Sequence, residues 1–68
     1  MDDEVFNMSL RKFLKMVGVS SQREIEQAVA RAIADGEIQG SEKMPAIMTL
    51  EIAALKLAVK FDGKIELE

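Results

Sequence analysis

The sequence predicts a small α+β domain: a two-helix hairpin or helix-turn-helix packed on a small antiparallel three-stranded sheet, in the order ααβββ. Three observations predict it. Apolar residues recur every third or fourth position up to Asp35, and every second position after Pro45. Gly18, Gly36 and the pair Asp62-Gly63 punctuate the chain where turns are needed.

The first helix rests on Phe6, Leu10, Phe13, Leu14 and Val17, whose spacing lines one side of a 3.6-residue spiral. Asp2, Asp3 and Glu4 stand at its start, where carboxylates complement the positive end of the helix dipole. Gly18 is placed to end it as a left-handed cap. The second helix begins with Ser21-Gln22-Arg23-Glu24, the pattern of a capping box in which serine and glutamate each take a free backbone amide. Ile25, Ala28, Val29, Ala32 and Ile33 carry its apolar side, and Gly36 after Asp35 supplies the stop. With only Gly18 to Ser20 between them, the two helices are expected to pack against each other.

The polar stretch from Gly36 to Pro45 reads as a surface connection. Beyond it Met48, Leu50 and Ile52 alternate with Thr49 and Glu51, and Leu55, Leu57, Val59 and Phe61 alternate with Lys56, Ala58 and Lys60. Ile65 and Leu67 continue the alternation, which gives three strands. Leu50, Ala53, Ala54, Leu57, Ala58 and Phe61 also fit a helical stripe, so a third helix over residues 46–61 is the competing reading. Asp62-Gly63 signals a turn, and side-chain parity there asks for Phe61 opposite Ile65 and Val59 opposite Leu67 across an odd-length or bulged loop. Pairing Leu50 with Leu57 and Met48 with Val59 leaves only Ala53-Ala54 between the first two strands. Alanine resists the positive φ of tight hairpins, so a longer loop or a bulge is expected. Leu67-Glu68 either completes the last strand or is a vector junction.

A chain of 68 residues forms one domain, residues 1–68, and at this size it buries only about 60% of its unfolded surface. With neither cysteine nor histidine, it has no disulfide staple, no thiolate zinc site and no imidazole ligand. Hydrophobic residues at 49% and charged residues at 31% belong to a folding chain rather than a disordered one. The net charge of -3 argues against a nucleic-acid partner. An acidic start, Met1-Asp2-Asp3-Glu4, does not fit a secretory signal, and the longest uncharged stretch, Met44 to Leu50, is too short to span a bilayer. A cytoplasmic location is the expectation.

Without His, Cys, Tyr or Trp, acid-base work would fall to carboxylates and lysines at termini, turns and solvent faces, so no enzyme is expected. No catalytic residue, cofactor or small-molecule substrate is assigned. Asp2, Asp3 and Glu4 are dipole partners rather than a metal cage. The most suggestive surface lies on the first helix away from its apolar stripe, where Met8, Arg11, Lys12 and Lys15 share a face. Such a face suits phosphates, anionic lipid or an acidic protein; the plainer reading is a solvated basic face. A winged-helix reading would send Gln22 to Asp35 into a DNA groove, but Glu24, Glu26 and Asp35 would then face phosphates. Open sheet edges and a minimal core make self-association attractive, with Met44, Ile47 and Met48 as natural contact residues. A noncatalytic protein-interaction module is therefore expected, self-association being one form; the alternative is a weak nucleic-acid, anion or membrane-surface binder using the basic face.

The runs Phe6-Asn7-Met8, Arg11-Lys12-Phe13-Leu14-Lys15, Val17-Gly18-Val19, Ser21-Gln22-Arg23-Glu24-Ile25-Glu26 and Met48-Thr49-Leu50, with Asp62-Gly63, resemble a family of short uncharacterised proteobacterial proteins, a domain of unknown function. The resemblance covers essentially the whole chain. It implies a bacterial, cytoplasmic protein and supplies no activity, ligand or site residue.

Overall fold

A computed structural model describes the chain from Met1 to Glu68. It divides into two units, Met1–Asp35 and Gly36–Glu68.

The first unit is one helix, α1, Asp3–Ala34, of 32 residues. Asp2 caps its start: Oδ1 accepts the backbone amides of Glu4 at 3.0 Å and Val5 at 3.1 Å, two of the donors that a helix start leaves without partners. Asp3 and Glu4 sit in the first turn against the positive end of the dipole. At the other end the Asp35 amide donates to the Arg31 carbonyl at 2.9 Å, and Gly36 follows with φ +73°, a conformation that costs an L side chain. Both outer ends are thus the ones the sequence marks.

The expected break between them is absent, and this corrects the two-helix and helix-turn-helix readings: Gly18, Val19, Ser20 and Ser21 are helical. Gly18 costs a helix interior only about 1 kcal/mol, less than ending and renucleating it. The apolar line also carries through, since Leu14, Val17, Ser21, Ile25, Ala28 and Ala32 follow one another in steps of three and four. Ser21 therefore occupies the line as an interior residue, and the amide of Glu24, inside an unbroken helix, needs no cap. The recognition-helix reading of Gln22 to Asp35 falls with the corner that it required.

The second unit is an antiparallel hairpin of two strands, β1 Lys43–Ile52 and β2 Leu57–Glu66, which corrects the three-stranded sheet. The third strand was to begin after Asp62-Gly63, but both residues lie inside β2, with Asp62 opposite Ile47 and Gly63 opposite Ala46. Ile65 accordingly faces Met44, and Phe61 faces Met48. The reason is parity: Val59, Phe61, Gly63, Ile65 and Leu67 keep one alternation running straight through the glycine, and an unbroken ladder with β1 outweighs a local turn preference. A third helix is likewise excluded, because residues 46–52 and 57–61 are extended.

The register differs by two from the pairing expected for the first connection: Leu50 lies opposite Val59 and Met48 opposite Phe61. A shift of two preserves every side chain's face. It lengthens the connection to a 3-10 turn, Ala53–Leu55, followed by Lys56 at φ 53°, so the left-handed residue is a lysine and the alanines are spared it.

Between the two elements the chain is tied by Glu42. Its carboxylate curls back to accept three backbone amides, Oε2 from Gln39 at 2.8 Å and Oε1 from Gly40 at 2.9 Å and Ser41 at 3.1 Å. Its carbonyl accepts the Leu67 amide at 3.0 Å, adding a rung beyond the last residues of the strands.

Candidate interaction surfaces

Met8, Arg11, Lys12 and Lys15 all lie exposed on the first half of α1, with Met8 72% accessible. Glu4, Asn7, Met8 and Arg11 line a shallow open depression on this side of the helix. Glu4 stands at its N-terminal side and Glu26 further along the same side, so the positive stretch is short and bounded by carboxylates. No group of acidic side chains is placed to hold a metal ion.

The hairpin presents a second surface, which holds two of the contact residues expected from the sequence, Met44 and Met48, while the third, Ile47, lies on the opposite face. Every position whose side chain shares a face with Leu50 is apolar or glycine. On β1 these are Met44, Ala46, Met48, Leu50 and Ile52; on β2 they are Leu57, Val59, Phe61, Gly63 and Ile65, and each faces another of the set across the ladder. The opposite face pairs Lys43 with Glu66, Thr49 with Lys60 and Glu51 with Ala58. Sheets with one apolar and one polar face keep the apolar one out of water. Here nothing on it is buried: Phe61 is 56% and Met48 45% accessible, and the most enclosed members, Met44, Ala46, Leu50, Leu57 and Ile65, are half-buried. The helix likewise buries no residue, with Phe13 46% and Leu14 59% accessible along its apolar line.

The electrostatics of the connection are local. Bonds from the Gln39 and Gly40 amides hold the Glu42 carboxyl below its ordinary pKa against the opposing effect of desolvation, and those from its own amide and Ser41 add to them. This contact was legible only as a Gly-Ser step before a glutamate.

The sequence as a whole, residues 1–68, matches the model of a family described as a family of unknown function, DUF6494. The chain belongs to that family. The match spans helix, connection and hairpin alike. Comparison with curated proteins and with solved structures found no match. No helix of this family member is long and apolar enough to cross a membrane.

Proposed function

We propose that the protein is a small noncatalytic interaction module that associates with a second copy of itself. The observation that carries this reading is the hairpin's apolar face, continuous from Met44 to Ile52 and from Leu57 to Ile65 with no residue buried. A lone two-stranded hairpin is at best marginally stable in water, and exposed apolar patches of this kind mark association surfaces. The absence of His, Cys, Tyr and Trp supports the noncatalytic part. A cytoplasmic location belongs to the same reading, since a cysteine-free chain fits a reducing compartment.

Sedimentation equilibrium over a wide concentration range tests it. A mass that rises to that of a dimer is expected, and Phe61→Glu, on the apolar face, should weaken association far more than Ile47→Glu, on the opposite face. A strict monomer at every concentration, with an intact far-UV spectrum, would remove the proposal.

The second reading, binding of an anionic surface or nucleic acid through Arg11, Lys12 and Lys15, is favoured by their common exposed face on one unbroken helix. Titration with anionic vesicles and with duplex DNA at two salt concentrations decides it: salt-sensitive binding that Lys12→Glu abolishes supports it, and no binding at low salt excludes it.

A further inference from the structure

We propose that two copies join through the outer edge of β2, antiparallel about a two-fold axis at Gly63, to make a continuous four-stranded sheet. This rests on the self-association reading and adds to the apolar face a second contact, the β2 edge, with its register. The Leu67 amide bonds the Glu42 carbonyl, which makes that pair hydrogen-bonded in the antiparallel sense and fixes the alternation along the whole ladder. Ala58, Lys60, Asp62, Lys64 and Glu66 therefore turn their backbone amides and carbonyls outward, and all of them are exposed. The same alternation turns the nitrogen of Pro45 outward on β1, where it has no hydrogen to donate. The β1 edge is thus blunted by proline, whereas the β2 edge is an unbroken row of donors and acceptors, the kind of edge that accepts another strand.

The side chains choose the partner and the register. Along the edge the charges alternate, Lys60, Asp62, Lys64, Glu66. Two-fold pairing about Gly63 sets Asp62 opposite Lys64 of the second copy and Lys60 opposite its Glu66, so every charge meets its opposite and symmetry repeats each pair. On the other face the same register sets Phe61 opposite Ile65 and Val59 opposite Leu67, extending the apolar face across the junction. Pairing about Asp62 would oppose Lys60 with Lys64 and Asp62 with itself; pairing about Lys64 would oppose Asp62 with Glu66. An axis at Phe61 leaves Lys64 against Ala58, and one between residues would turn apolar positions against polar ones. Gly63 then lies on the axis, at a closely approaching, non-bonded pair about 4.5 Å apart at Cα.

The chain has no cysteine, so a single introduced thiol reports the axis directly. A Cβ at Gly63 meets nothing within 4 Å, and the Cα separation expected there lies within the ~4.4–6.8 Å range of disulfides. Gly63→Cys should cross-link to its own copy under mild oxidation. Val59→Cys, four residues from the axis and on the order of 27 Å from its mate, should not. Asp62→Lys should raise the dimer dissociation constant about tenfold, and adding Lys64→Asp should restore it. A wild-type dimer in which Gly63→Cys fails to link, or Val59→Cys links equally well, overturns this register and leaves self-association standing. A monomeric wild type at all concentrations overturns both.

Discussion

In α1 each backbone bond closes over a single turn, so the helix needs nothing beyond its own sequence neighbours and two caps. In the hairpin the bonded partners spread from Ile52 and Leu57 at the turn to Lys43 and Glu66 at the open end, and each rung depends on the ones before it. The difference shows in how each treats a glycine. Gly18 is absorbed because the turns on either side of it are helical in their own right; Gly63 is absorbed because Ala46 pairs with it from the other strand. A local breaker is overruled by local cooperativity in one unit and by distant pairing in the other.

The sharpest way to break this comparison is to forbid the helix its middle. Ser20→Pro removes an i→i-4 bond and places the ring against the preceding turn, at a cost of about 3 kcal/mol. If α1 is one cooperative element, far-UV circular dichroism should lose a large part of its helical signal and the thermal midpoint should fall. A corner between two helices would accept the same proline with little change, and that result would restore the broken helix.

A smaller and oppositely signed effect is expected two residues earlier. Gly18 carries no left-handed φ, and a Cβ there meets nothing within 4 Å. Gly18→Ala should therefore stabilise the helix by up to about 1 kcal/mol, read as a raised thermal midpoint. A glycine acting as a left-handed cap would give the reverse, a loss on substitution.

These two positions also show where the sequence was readable. The outer ends of α1 were legible because their signals are short-range, carboxylates at Asp2 to Glu4 and a glycine after Asp35. The middle was misread because Gly18 and the Ser21 to Glu24 run are the same short-range signals, and only the spacing across them, Val17 to Ser21 to Ile25, says that the helix continues. In the hairpin, alternation made strands legible on both sides of Ala53-Ala54, while Asp62-Gly63 imitated a turn that no local rule could veto. That Met8, Arg11, Lys12 and Lys15 are helical needed only local spacing. The apolar alternation of each strand was readable too, but the pairing of the strands and the free β2 edge were not, since both depend on which strand lies opposite which.

The smallest effect concerns the connection that belongs to neither ladder. Three backbone amides hold the Glu42 carboxylate, and they favour its charged form, so its pKa in the folded chain lies below the unfolded one. The sign follows: the contact contributes fully above the ordinary carboxylate pKa of about 4.3 and is lost as pH falls through the lower folded value. At neutral pH, Glu42→Gln should speed hydrogen exchange at the Gln39, Gly40 and Ser41 amides, and the difference from wild type, after correction for intrinsic rates, should vanish once acid has protonated the wild-type carboxyl. Glu37→Gln, in the same connection, controls for the loss of one negative charge. Equal protection in wild type and Glu42→Gln at neutral pH would mean that the loop is held by its ends alone, and the contrast between a self-sufficient helix and a hairpin that needs tying would lose its third term.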